Sequence, residues 1–178
     1  MRIMTLSLSL LLVTTSIAST GFPQTKESGA KKSITEWGTI CEGFQLAVQT
    51  ERQIFNPGEP VWLNVYLRNT SNNSASAFNS VPWMDYIIDI RNERGDKVSL
   101  TEEAKVLEQK QKDDRPIGFR EMRLLPGQMF SDRLLLNKLY TINARGIYSV
   151  LVKRKIPKRY KKGWTEVTAN VVKVTIGS

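Results

Sequence analysis

Between residues 61 and 68 the chain alternates without a break: Val61, Leu63, Val65 and Leu67 share one parity, and Trp62, Asn64, Tyr66 and Arg68 share the other. Successive side chains of a strand point to opposite faces, so a period of two predicts a half-buried strand with its aliphatic set inward. Phe44, Leu46 and Val48 alternate with Gln45, Ala47 and Gln49 and predict a strand before it. Asn56-Pro57-Gly58-Glu59-Pro60 separates the two. Proline presets φ for a turn there, and glycine supplies a backbone conformation other residues avoid. Further strands are expected over residues 86–90, 119–125, 129–136, 148–152 and 165–176, with a polar loop at 69–76, a hairpin turn at 91–97 and a connection at 137–143. A short helix over 102–111 competes with an irregular edge segment. A capping box, Ser99-Leu100-Thr101-Glu102, would open it, but Ala104, Val106 and Leu107 give it only a thin apolar face. Short strands with turns roughly every 8–12 residues predict an all-β fold, an antiparallel β-sandwich of seven to nine strands, rather than βαβ units.

The N-terminus breaks this pattern. Arg2, a short apolar stretch and Ser16-Ile17-Ala18 follow the order of a secretory signal peptide, with small residues at −3 and −1 of a cut after Ala18. The apolar stretch is shorter than the ~20 residues a membrane-spanning helix needs. Residues 19–35 are small, polar and unpatterned, as in a flexible tether. The expected organisation is a signal peptide at 1–18, a tether at 19–35 and one sandwich domain at 36–178, secreted or periplasmic, with no transmembrane segment.

Composition narrows the chemistry. The chain has no His and one Cys, Cys41. Histidine is the usual proton shuttle near neutral pH, so Ser-His-Asp and Cys-His catalysis are excluded and common zinc sites nearly so. The carboxylate pairs Glu102-Glu103 and Asp113-Asp114 lie in a Lys-rich polar stretch and read as solvated surface. No enzyme activity and no cofactor are expected. Cys41 has no partner for an internal disulfide, which leaves a small, packed residue at a strand start or an intermolecular bridge.

Three stretches carry a family likeness. They are Phe55-Asn56-Pro57-Gly58-Glu59-Pro60-Val61 with the strand ending in Arg68-Asn69-Thr70-Ser71; Leu124-Leu125-Pro126-Gly127-Gln128 with residues 135–140; and Arg145-Gly146-Ile147-Tyr148-Ser149-Val150 with the final Val/Thr-rich strand. This pattern resembles the immunoglobulin-like β-sandwich domains of exported bacterial proteins and, more loosely, the BsuPI-type proteinase inhibitors. The resemblance implies an immunoglobulin-like antiparallel β-sandwich over roughly residues 40–176, with Tyr148 as a tyrosine corner, and brings no catalytic residues. The Cys…Trp…Cys core of antibody domains is missing.

Charge is the remaining signal. Residues 133–178 hold 11 Lys+Arg against a single acid, Glu166. Seven of those cations fall within ten residues: Lys153, Arg154, Lys155, Lys158, Arg159, Lys161 and Lys162, with Tyr160 and Trp164 beside them. Like charges this dense repel, so the whole segment is expected at the surface, in the last hairpin turn, with Pro157 and Gly163 as turn formers. One reading is a solvated loop that aids solubility. The other is a contact site for a protein or acidic polymer, or an anionic surface; export disfavours nucleic acid. Phe78, Trp83, Met84 and Tyr86 form either an exposed apolar patch or a plug for the sandwich end. Asn69-Thr70-Ser71 and Asn72-Asn73-Ser74 match the glycosylation pattern and suggest an exposed loop. The expected function is a secreted, non-catalytic binding module. The alternative is a proteinase inhibitor acting through residues 154–164 or 71–83.

Overall fold

Leu63, Val65 and Leu67, the inward set of the clearest alternation, are fully buried, as is Val61 just before them. The computed structural model describes residues 33–34, 36–113 and 120–177. The expected signal peptide and nearly all of the tether lie outside the described residues, as do Asp114 and position 119. The described elements run in the order β1 (Phe44–Thr50), β2 (Ile54–Phe55), β3 (Trp62–Asn69), β4 (Ala75–Asn79), α1 (Pro82–Asp85), β5 (Tyr86–Arg91), α2 (Glu102–Asp113), β6 (Arg120–Leu124), β7 (Met129–Leu135), α3 (Leu136–Leu139), β8 (Gly146–Pro157) and β9 (Trp164–Ile176).

Two sheets enclose the core: β1-β3-β7 on one side and β2-β9-β8-β5 on the other, with β4-β6 as a separate two-stranded ribbon. Pairing is antiparallel except for β2, which lies parallel to β9. The sheets are those of an immunoglobulin-type sandwich, with β1-β3-β7 in the places of strands A, B and E and β5-β8-β9 in those of C, F and G. The Tyr148 hydroxyl, near the start of β8, donates to the Ala144 carbonyl at 2.8 Å, the back-bond of a tyrosine corner. Leu46 and Val48 from β1, Leu63 and Val65 from β3, and Val150 and Val152 from β8 belong to one buried cluster.

Several local expectations change. The loop after β3 ends early, because β4 starts at Ala75. Asn69 is not exposed: its side chain is fully buried and gives hydrogen bonds to the carbonyls of Asn73 and Leu124 while accepting from Ser71. Asn69 continues the inward parity of β3, so a polar residue sits inside only because its amide is satisfied. The helix does form, but Thr101 caps it, accepting the Ala104 N–H at 3.1 Å. The third residue after that cap is Ala104, so no capping box closes. The expected connection at 137–143 begins with α3.

Glu42 and Gly43 form a tight turn that leads into β1. Both residues have positive φ, 51° and 81°, and Cys41 and Phe44 exchange hydrogen bonds across them. That is the geometry of a two-residue type I′ hairpin turn, whose twist matches the strands it joins. Gly38 passes so close to β9 that an added Cβ would fall 1.8 Å from the Thr168 carbonyl oxygen. The Gly38 N–H reaches the Leu46 carbonyl, and the Asn170 side-chain amide bonds both the N–H and the C=O of Val48. The outer edge of β1 is thereby closed.

Candidate functional site

The seven-cation run does not occupy one environment. β8 alternates Tyr148, Val150, Val152, Arg154 and Ile156 inward, and all five are buried. The expectation that the segment is exposed throughout is therefore wrong for Arg154, which has 0% exposure. The strand simply continues past Val152, and its parity carries the arginine into the core. Lys153 points the other way and pairs with Glu166 at 3.1 Å.

Arg154 is held from several elements. Nη1 donates to the Tyr86 hydroxyl and Nη2 to the Phe78 carbonyl, each at 2.7 Å. Asp85 lies 3.6 Å away and Asp132 3.9 Å away. The Tyr86 hydroxyl donates in turn to Asp132 at 2.7 Å. Asp132 sits opposite Val65 in one sheet, and Tyr86 pairs with Arg154 in the other, so the cluster ties the two sheets together through charge. Asp85 accepts the Ser80 N–H through both carboxylate oxygens. Burial pushes the Asp85 carboxyl above the usual aspartate range, opposed by the Ser80 N–H and by Arg154 and reinforced by Asp132. Burial likewise pushes the Tyr86 phenol up, with Arg154 opposing it. Sequence reasoning missed Tyr86, Asp85 and Asp132 as partners of Arg154; Ile156, an apolar residue amid charges, marks where the alternation continues.

The exposed part of the run begins beyond this point. Lys155 is exposed on β8, and the turn at 158–163 closes with the Lys158 N–H on the Gly163 carbonyl at 3.0 Å. Gly163 has φ of 114°, which favours glycine at the turn exit. Glu42, presented by the type I′ turn, accepts the Arg159 backbone N–H at 3.0 Å and anchors the tip to the sandwich. Lys158, Lys161 and Lys162 are exposed, Tyr160 is 86% exposed, and Trp164 is 51% exposed with its ring edge-on to Phe78 at 5.4 Å. Among the described residues, none of Lys155, Lys158, Lys161 and Lys162 forms an ion pair. Of the nine expected site residues, the structure gathers Lys155, Lys158, Arg159, Tyr160, Lys161, Lys162 and Trp164 at one end of the β8–β9 hairpin, sets Lys153 into a surface pair, and removes Arg154 to the interior.

The other expected contact features divide. Tyr86 is buried, while Phe78 and Met84 are half-buried; the side chain of Trp83 lies outside those described. Residues 71–83 are not an open inhibitory loop, since they contain all of β4, paired with β6, and the start of α1. Cys41 is half-buried with its Sγ 3.8 Å from the Thr165 hydroxyl. Among the described residues, no group of three or more His, Cys, Asp or Glu is placed to hold a metal ion, and no helix is long and apolar enough to cross a membrane.

Fold and site together define an all-β sandwich domain, pinned inside by a buried arginine and carrying a cationic hairpin tip. The family model of the flagellar collar protein C N-terminal domain matches residues 48–177, and the chain belongs to that family. No curated protein matches the chain. Among solved structures, similarity is found to the β-glucosidase EmGH1 of Erythrobacter marinus, at 18% identity and TM-score 0.34 over 70% of this chain and 15% of that one. A β-glucosidase of Listeria innocua in complex with isofagomine matches at 14% identity and TM-score 0.36 over 89% of this chain and 21% of that one. The chain spans less than a quarter of the length of those enzymes, and at these TM-scores the likeness carries neither fold nor activity to it.

Proposed function

We propose that this chain is an exported, non-catalytic interaction domain of a flagellar collar, which holds an acidic surface of a neighbouring protein with its hairpin tip. Membership of the collar family supports a structural role within the flagellar apparatus. The observation that carries the contact site is the tip itself, where Lys155, Lys158, Lys161 and Lys162 stand exposed without ion pairs among the described residues. Two neighbouring acids are already engaged: Glu42 by the Arg159 N–H, and Glu166 by Lys153. Unneutralised charge at the end of an ordered hairpin attracts an acidic partner and sets its orientation more than its affinity. The signal-peptide pattern of residues 1–18 supports work outside the cytoplasm, in the periplasm or beyond.

The test is co-sedimentation of the exported protein with isolated flagellar basal bodies. The comparison is a variant carrying Lys155→Glu, Lys158→Glu, Arg159→Glu and Lys161→Glu. The parent should sediment and the variant should remain in solution. Equal sedimentation would remove the tip from the contact, and no sedimentation of either would remove the collar role. Mass spectrometry of the same material should find the N-terminus at or near Ser19; intact Met1 would overturn export through the proposed cleavage.

A further inference from the structure

The strand edge beside the tip adds a second element to this surface. Most sheet edges are closed or blunted. The β1 edge is occupied by Gly38 and Asn170, and the β5 edge by the Val98 N–H and the Tyr140 hydroxyl, which bond the carbonyls of Ile90 and Ile88. β6 carries Arg120, Glu121 and Arg123, and β7 carries Asp132 and Arg133, charges of the kind that discourage edge pairing. β4 differs. Its sequence, Ala75-Ser76-Ala77-Phe78-Asn79, has no charge and no proline, and among the described residues no strand pairs with the edge opposite β6.

The orientation of that edge is readable. The Phe78 carbonyl accepts from Arg154 Nη2, so the backbone groups of Phe78 face away from β6. Residues two apart in an antiparallel strand share a side, so the N–H and C=O of Ser76 face the same way. A cleft of about 330 Å³ lies beside β4, lined by Ser74, Ser76 and Phe78, by Pro157, Lys158 and Arg159 of the hairpin, and by Glu42 and Phe44 at the turn into β1. The Phe78 carbonyl is taken by Arg154, which leaves the Ser76 N–H and C=O and the Phe78 N–H on this edge, while Lys158 and Arg159 bring positive charge beside a Glu42 carboxylate that already accepts the Arg159 N–H.

We propose that this cleft takes an extended acidic segment of the partner protein, which adds to β4 as a third strand while its carboxylates meet Lys158, Arg159 and the adjoining Lys161 and Lys162. Strand addition draws affinity from main-chain hydrogen bonds and specificity from alternate side chains. Charge complementarity selects the occupant, because a cationic wall repels a basic strand and leaves an uncharged one without a partner for its lysines. The inference rests on the tip being the contact site and specifies how the partner is held.

A short capped peptide of alternating Val and Glu is the probe, titrated into the full chain at low salt with Trp164 fluorescence and amide hydrogen exchange as readouts. Binding should protect the Ser76 and Phe78 amides. Methylating alternate backbone nitrogens of the peptide keeps its charge and removes its donors, and should weaken binding about tenfold or more, the equivalent of one to two net hydrogen bonds. Ser76→Pro removes the outward N–H without touching the β4–β6 ladder, and should fold normally yet lose the peptide. Equal binding of the methylated peptide would overturn strand addition and leave charge alone at the tip. Equal binding of a Val–Lys peptide would overturn the acidic preference. Failure of the Val–Glu peptide to bind would overturn the proposal, while basal-body sedimentation decides the collar role independently.

Discussion

Arg154 and Lys158 lie four positions apart in the same charged run, and the fold treats them in opposite ways. Arg154 is sealed between two sheets against Tyr86, Asp85, Asp132 and the Phe78 carbonyl. Lys158 stands in a turn, exposed, on the wall of an open cleft. The difference teaches that charge density in a sequence does not locate charge in a structure; strand parity does. Even within the buried cluster satisfaction is incomplete, since among the described residues Arg154 Nε has no hydrogen-bond partner. A buried ion group of this kind is weak evidence for net stability, yet it resists being broken, because removing one member strands the others without water.

The comparison breaks most sharply at its buried end. Arg154→Ala leaves Asp85 and Asp132 facing each other in the core and should cost about 3–5 kcal/mol. Urea denaturation measures it; a loss under about 1 kcal/mol would mean that water reaches the cluster. Adding Asp85→Asn and Asp132→Asn should recover part of the loss by removing the stranded charges.

Tyr86→Phe is the next step down. Its hydroxyl both accepts from Arg154 and donates to Asp132. Hydrogen bonds to charged groups contribute about 1.5–3 kcal/mol, so the variant should lose roughly that much. Unchanged stability would show that Arg154 and Asp132 simply close on each other.

Alkaline titration reads the buried phenols rather than the tip. Burial pushes the Tyr140 phenol up to about 12 and raises Tyr86 further, from an ordinary value of 10.0. Above pH 10 the unfolded chain releases these protons first, so the unfolded state binds fewer protons and stability falls as pH rises. The contribution is fully present below pH 10 and, for Tyr140, lost as pH climbs through about 12. Melting curves across this range should show the fall, and Tyr140→Phe should make it shallower. The tip-reversed variant should follow the parent. An identical slope in Tyr140→Phe would place that phenol in water.

The smallest expected stability effect is at the tip. Reversing Lys155, Lys158, Arg159 and Lys161 to Glu should change unfolding free energy by less than about 0.5 kcal/mol, as surface substitutions usually do. The same variant should lose retention on heparin, and retention of the parent should weaken with salt, since the Debye length is only about 8 Å at physiological ionic strength. Equal elution of parent and variant would mark the tip as a solvated turn.

Much of the architecture was legible because it rests on local rules. Alternation at 44–48 and 61–67 identifies inward faces without any knowledge of partners, since a one-residue slip would expose the whole aliphatic set. Pro57, Gly58, Pro126 and Gly127 mark turns for reasons of backbone geometry, and Pro157 and Gly163 mark the last hairpin turn in the same way. Two misjudgements share one cause. Asn69 and Arg154 are polar residues at inward parity, and nothing local reveals whether a polar group has a buried partner.

The sequence by itself determined the all-β class, the main strands with their inward residues, and the position of the cationic tip, because each follows from side-chain periodicity or turn chemistry within a few residues. Only the tertiary structure decided that Arg154 leaves the charged run for the core. Its partners come from α1, β4, β5 and β7, as far as 76 residues away in the chain, and their convergence offsets the desolvation of a buried charge. The tertiary structure also decided that, among the described residues, no strand pairs with the edge of β4 opposite β6, because an edge is defined by which strands fail to pair with it, a property no single segment carries.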